Sequence, residues 1–169
     1  MNSFSLYIHI PFCASKCNYC DFFSISCERV GSFDKKKSCV GQHYLDALIK
    51  DTRNHVSTFN INSWKSIYMG GGTPSLLSID QITTFFRTLY TICSPTPDAE
   101  ITFEANPDDI TSELLACLLE ARVNRLSLGV QSFDEKVLST IGRRANAKQN
   151  RQALKCIKNY WLVNNNQNT

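Results

Sequence analysis

The chain has 169 residues, a net charge of +3, and 43% hydrophobic, 20% charged and 11% aromatic residues, a composition that supports a folded core and excludes general disorder. So small a charge surplus leaves no footprint for a nucleic-acid partner, and Lys35-Lys36-Lys37 reads as a solvated loop. "MNSFSLYIHIPF" lacks a basic start before a long apolar stretch, and no apolar run approaches the ~20 residues that span a bilayer. The expected setting is cytoplasmic, where the eight cysteines should be thiols or metal ligands rather than disulfides.

In chain order, the first candidate strand is "SLYIHI" (5–10), and three cysteines follow it at once: Cys13, Cys17 and Cys20, spaced C-x3-C-x2-C. Residues 24–41 read as an irregular loop whose Cys27 and Cys39 have no assigned role. Leu45, Leu48, Ile49 and Val56 repeat with helical period. A second strand, "SIYMG" (66–70), runs into Gly70, Gly71, Gly72 and Thr73. Behind "SIDQ", where Ser78 and Gln81 make a capping box, Ile79, Ile82, Phe85, Phe86 and Leu89 form an apolar helical stripe. The third strand is "EITFEA" (100–105), with Glu104 and Asn106 at its end. Thr111 is the expected N-cap of a helix carrying Leu114, Leu115, Leu118 and Leu119. "RLSLGV" (125–130) is the fourth strand, with Gln131 and Ser132 after it. A last helical stripe holds Ala153, Leu154, Ile157 and Tyr160. "WLV" could begin a fifth strand, and residues 162–169 read as a polar tail.

Strand and helix in alternation predict right-handed crossovers and a parallel α/β sheet, open or curling into a barrel. Every unusual group then falls at the carboxyl end of a parallel strand, where such folds build their sites. The cysteine triplet is the most specific feature. An iron–sulfur cube normally takes four thiolates, so three on one loop would leave one iron open to an outside ligand. Zinc is the competing reading, with Cys27, Cys39, His9 or His43 completing a tetrahedron, and inert buried thiols are the third. Cys93, Cys117 and Cys156 lie on or beside helices and read as core thiols. His9 reads as a satisfied core or near-site histidine.

"YIHIPFCASKCNYCDF", "YMGGGTPSLLS", "ITFEANPDDIT" and "RLSLGVQSFDEKVLSTIGR" together resemble the radical S-adenosylmethionine proteins, in particular the oxygen-independent coproporphyrinogen III oxidase family, which includes haem chaperones. The resemblance covers about residues 5–160. It implies a (β/α) barrel of the TIM type, here partial and open, and a [4Fe–4S] cluster on Cys13, Cys17 and Cys20. The amino and carboxylate groups of S-adenosylmethionine would complete the open iron, and an electron from the reduced cluster would cleave the sulfonium to a 5′-deoxyadenosyl radical. Gly71, Gly72, Thr73, Glu104, Gln131 and Arg143 match family positions that bind this ligand. Tyr7 and Tyr19 flank the cluster and also suit plain packing.

Within the family, Phe22 stands where the oxidases carry a fourth cysteine, and the chain begins almost on its first strand, without their N-terminal arm. Both features resemble the haem chaperone branch; Asn146, where relatives often place His, does not strengthen the match. The expected domain is a partial radical S-adenosylmethionine core over 1–169, without the family's C-terminal domain. Two functions follow from the resemblance: binding and transfer of haem, or radical decarboxylation of coproporphyrinogen by an oxidoreductase. An inactive cluster-binding remnant is a third. Implied partners are haem or a porphyrinogen, an electron donor, a haem-acceptor protein, and a second chain at the open barrel edge.

Overall fold

A computed structural model describes residues 2–27 and 40–165. In chain order its elements are β1 (Ser3–Ile10), β2 (Phe12–Cys13), β3 (Ile25–Ser26), α1 (Gln42–Phe59), β4 (Ser63–Gly71), α2 (Ile79–Ile92), β5 (Pro95–Ala105), α3 (Ser112–Glu120), β6 (Arg125–Leu128), α4 (Glu135–Thr140) and α5 (Ala147–Cys156), then a π-helical turn (Ile157–Trp161) and α6 (Leu162–Asn165). The main sheet has the order β1-β4-β5-β6, and all three pairings are parallel. This is the parallel sheet with intervening helices expected from the sequence, and it is open: among the described residues β1 and β6 are its edges.

Alternation along the strands assigns two faces. Ile8, Ile10, Trp64, Ile67, Met69, Ile101 and Phe103 are buried against Leu45 and Ile49 of α1, Ile82, Phe85, Phe86 and Leu89 of α2, and Leu114, Leu115 and Leu118 of α3. The opposite face is polar. Ser3 and Ser63 share a hydroxyl hydrogen bond of 2.8 Å, Ser66 Oγ donates to Ser5 Oγ at 2.8 Å, and Arg125 pairs with Glu100 at 2.7 Å.

The predicted helix starts hold. Ser78 accepts from Gln81 N while the Gln81 side chain returns to Ser78 N, and Thr111 accepts from Leu114 N. The stripes err at their ends: Ile79 is 40% and Leu154 42% exposed. "WLV" does not begin a strand. The helix of α5 continues through the π turn, Trp161 is buried in the core, and Leu162–Asn165 is helical. That anchor also converts the first part of the expected tail 162–169 into helix. Of the loop expected over 24–41, Ile25–Ser26 instead pairs in parallel with Phe12–Cys13; 28–39, including Cys39 and the lysine run, lie outside the described residues. Cys27 is fully buried and disulfide-bonded, a correction to the expectation of thiols or metal ligands throughout.

Candidate functional site

The carboxyl ends of the four strands of the main sheet meet around a cavity of about 380 Å³. Its wall includes Cys13, Cys17, Tyr19 and Cys20 after β1, Gly71 at the end of β4 with Gly72 and Thr73 after it, Glu104 and Asn106 at the end of β5, and Gln131, Arg143 and Arg144 beyond β6. Ten of the eleven residues expected at the site therefore share one wall. Tyr7 is the exception. It stands 56% exposed on the polar face of β1, bonded to His9 Nδ1 at 2.8 Å, and is not part of the cavity lining.

The glycine turn fixes the cysteine loop from one side. Gly72 N donates to Ile10 O at 2.8 Å, and a Cβ at Gly72 would lie 2.6 Å from Phe12 O. Backbone meets backbone there, which no side chain permits. The next residue, Thr73, is buried and donates from Oγ1 to Cys13 Sγ at 3.5 Å. Gly71 has φ +111 and donates its N–H to Glu104 Oε2 at 3.0 Å. The other Glu104 oxygen accepts from Tyr68 OH at 2.5 Å. A half-buried carboxylate is thus held by two donors at the cavity wall.

Arg143 closes the opposite side. Its Nη1 donates to Cys17 Sγ at 3.4 Å, and its Nη2 to Asn106 Oδ1 at 2.7 Å and Gly129 O at 2.6 Å. The adjacent Arg144 turns to Asp108 and Asp109, the latter at 2.5 Å, while Ser75 Oγ donates to Asp109 Oδ2 at 2.7 Å and accepts from Asn106 N at 3.1 Å. Burial pushes the Asp109 carboxyl above its ordinary value despite the guanidinium beside it. Burial also works to lower Arg144, but the two carboxylates outweigh it and the net direction is upward. Burial raises the Tyr19 phenol, opposed by Arg143 and aided by Cys17 and Cys20. Gln131 holds φ +62, an uncommon conformation for a non-glycine residue.

Asn106, noted at the end of the third strand, and Arg144, which does not stand out in sequence, both belong to this wall. The available signal was charge complementarity between "NPDD" and "GRRAN", which only the fold brings together. His9 has both ring nitrogens engaged, with Tyr7 OH and with Phe23 O at 3.0 Å, which removes it as a ready zinc ligand. Among the described residues no three His, Cys, Asp or Glu side chains converge on a single-ion site. Cys93 and Cys117 are buried in the core, as expected of structural thiols, and Cys156 packs against it.

An open parallel sheet with helices over its apolar face and a thiol-bearing cavity at its carboxyl rim defines a (β/α) protein of partial-barrel type. The chain belongs to the Radical SAM superfamily, which it matches over residues 7–166. It is 40% identical over 142 residues to heme chaperone HemW of Bacillus subtilis, covering 82% of this chain and 35% of that protein. Against heme chaperone HemW of Escherichia coli it is 38% identical over 151 residues, covering 89% and 38% respectively. The solved structure of coproporphyrinogen III oxidase (HemN) from Escherichia coli, described as a Radical SAM enzyme, superposes with a TM-score of 0.78 at 30% identity, over 94% of this chain and 35% of that one. The chain thus spans well under half the length of the relatives it matches.

Proposed function

We propose that this chain carries the cluster-binding core of a haem chaperone-like radical S-adenosylmethionine protein. The observation that carries this reading is the convergence of three thiols, a two-donor carboxylate and a guanidinium on one cavity wall. The donor set suits a [4Fe–4S] cluster better than a single ion, because the thiolates of a cube bind different irons and need not meet at one point. Cys13, Cys17 and Cys20 would hold it, with Thr73 and Arg143 donating to two of the sulfurs. Glu104, Gln131 and the Gly71–Thr73 turn would receive S-adenosylmethionine, Glu104 accepting from its ammonium group, and Tyr19 would cover the loop. The chemistry that these groups supply when bound is one-electron cleavage of a sulfonium. Cys13, Cys17 and Cys20 are free thiols and so available to the cluster.

Haem as cargo follows from the similarity to proteins named heme chaperones and from Phe22, which lines the cavity where the oxidases have cysteine. An electron donor and a haem-acceptor protein are the partners this role requires. The likeness to the coproporphyrinogen oxidase structure favours one second reading, a decarboxylating oxidoreductase. Anaerobic reconstitution, followed by haem titration and assays for 5′-deoxyadenosine and protoporphyrinogen, separates them. Expected are about four irons and four sulfides per chain, lost in Cys13→Ala, Cys17→Ala and Cys20→Ala but not in Cys93→Ala, together with stoichiometric haem binding and no protoporphyrinogen. Formation of protoporphyrinogen would establish the oxidase, and stoichiometric zinc in place of iron would refute both.

A further inference from the structure

Asn18 lies between the second and third cysteines and reaches a helix far along the chain. Its backbone N–H donates to Ile141 O at 3.0 Å, and its side-chain Nδ2 donates to Thr140 O at 3.0 Å. Thr140 and Ile141 are the last residue and the C-cap of α4, where carbonyls have no further helical turn to accept from. Gly142 follows with φ +68, and a Cβ there would lie 3.2 Å from Asn18 Oδ1. Glycine therefore allows both the turn and the close fit of the amide. The chain then delivers Arg143 to Cys17 Sγ and Arg144 to Asp108 and Asp109.

We propose that Asn18 is a positioning residue, a latch that fixes the cysteine loop on the carboxyl end of α4 and sets the Cys17 sulfur against the Arg143 guanidinium. One end of the loop is already held by Gly72 at Ile10 and Phe12. Without the Asn18 side chain the Cys17 end would lose the Thr140 bond and keep the backbone bond to Ile141 and the Arg143–Cys17 contact. A loop held at both ends presents its thiols in a fixed arrangement before iron arrives, which lowers the ordering cost of binding. The inference rests on reading Cys13, Cys17 and Cys20 as cluster ligands.

The test uses the full chain with Asn18→Ala and Gly142→Ala, singly and together. In anaerobically reconstituted protein, each variant should take up iron and sulfide but lose its visible cluster absorbance in air roughly three- to tenfold faster, the range of one net hydrogen bond. In reduced, iron-free protein, alkylation of Cys17 and Cys20 followed by peptide mass spectrometry should accelerate by about the same factor. Alkylation at Cys93 and Cys117 should stay unchanged, and the double variant should behave like either single one, since both changes open one contact. Unaltered Cys17 reactivity and cluster lifetime in both single variants overturn the latch, as does equal acceleration at Cys93 and Cys117, which would signal general unfolding. Unmutated protein that takes up no iron refutes the cluster reading instead, and the alkylation result still decides the latch.

Discussion

Glu104 shows how one carboxylate is held at a cavity wall. An acid at the end of a parallel strand would be an awkward burial, but Tyr68 OH and Gly71 N each occupy one of its oxygens. A carboxylate has about four acceptor sites, so capacity remains toward the cavity that it lines. The cost appears on Tyr68, whose phenol is raised above its ordinary value, first by the hydrogen bond to Glu104, then by burial and by the charge of that carboxylate. The proton on Tyr68 is thus favoured in the folded state. The associated stability is complete below the unfolded tyrosine pKa of about 10 and is lost as pH rises through the higher folded value. Glu104→Ala should therefore bring Tyr68, and to a lesser degree Tyr7, which burial and then the same charge also raise, to earlier ionisation among the six tyrosines in an alkaline absorbance titration. Superimposable curves for the two proteins would show that the bond is absent in solution.

At the scale of elements, stability comes from the apolar face of the sheet and the capped helices on it. Leu89→Ala, at a fully buried position, should cost about 2–5 kcal/mol, whereas Leu154→Ala, 42% exposed, should stay within about 0.5 kcal/mol. Ser78→Ala removes the hydroxyl half of a capping box and should cost about 1 kcal/mol. Chemical denaturation of the three variants gives the comparison, and equal losses for Leu89→Ala and Leu154→Ala would contradict the helix orientations described. This pair also shows what was legible beforehand. Helical period identified α2 and the α5 segment, because apolar spacing follows from helix geometry. It overran at Ile79 and Leu154, because a stripe does not reveal where the partner surface ends. The four strands were legible from their apolar character and turn signals, yet β5 begins at Pro95 rather than at residue 100. The cysteine triplet and the glycine turn were legible because their spacing is local. The Asn106–Arg143 and Arg144–Asp109 contacts were not, since they join residues 37 and 35 apart that only the sheet order brings together.

For the whole molecule, the informative contrast lies between the two faces of the sheet. A closed eight-stranded barrel fills its interior with bulky branched side chains. Here the face away from the helices carries Ser3, Ser5, Tyr7, Ser66, Glu100 and Glu104, each in a side-chain hydrogen bond, and suits a polar ligand rather than a packed core. The same openness leaves strand edges. Of the two, β1 is the longer, eight residues without Asp, Glu, Lys or Arg, against four residues for β6 beginning at Arg125. Tyr44 OH takes the His9 carbonyl at 2.7 Å, so among the described residues the bare part of β1 is its first half, where Phe4 is 41% exposed. An uncharged, exposed edge of this kind is a template for pairing with another chain. Purified protein should accordingly self-associate with rising concentration in sedimentation velocity under reducing conditions. Phe4→Lys places a charge on that edge, and should weaken association by about tenfold, ~1.4 kcal/mol, while shifting unfolding stability by no more than about 0.5 kcal/mol because the side chain is already exposed. A chain that stays monomeric at every concentration would mean that the β1 edge is covered in solution, and association unchanged in Phe4→Lys would move the contact to β6.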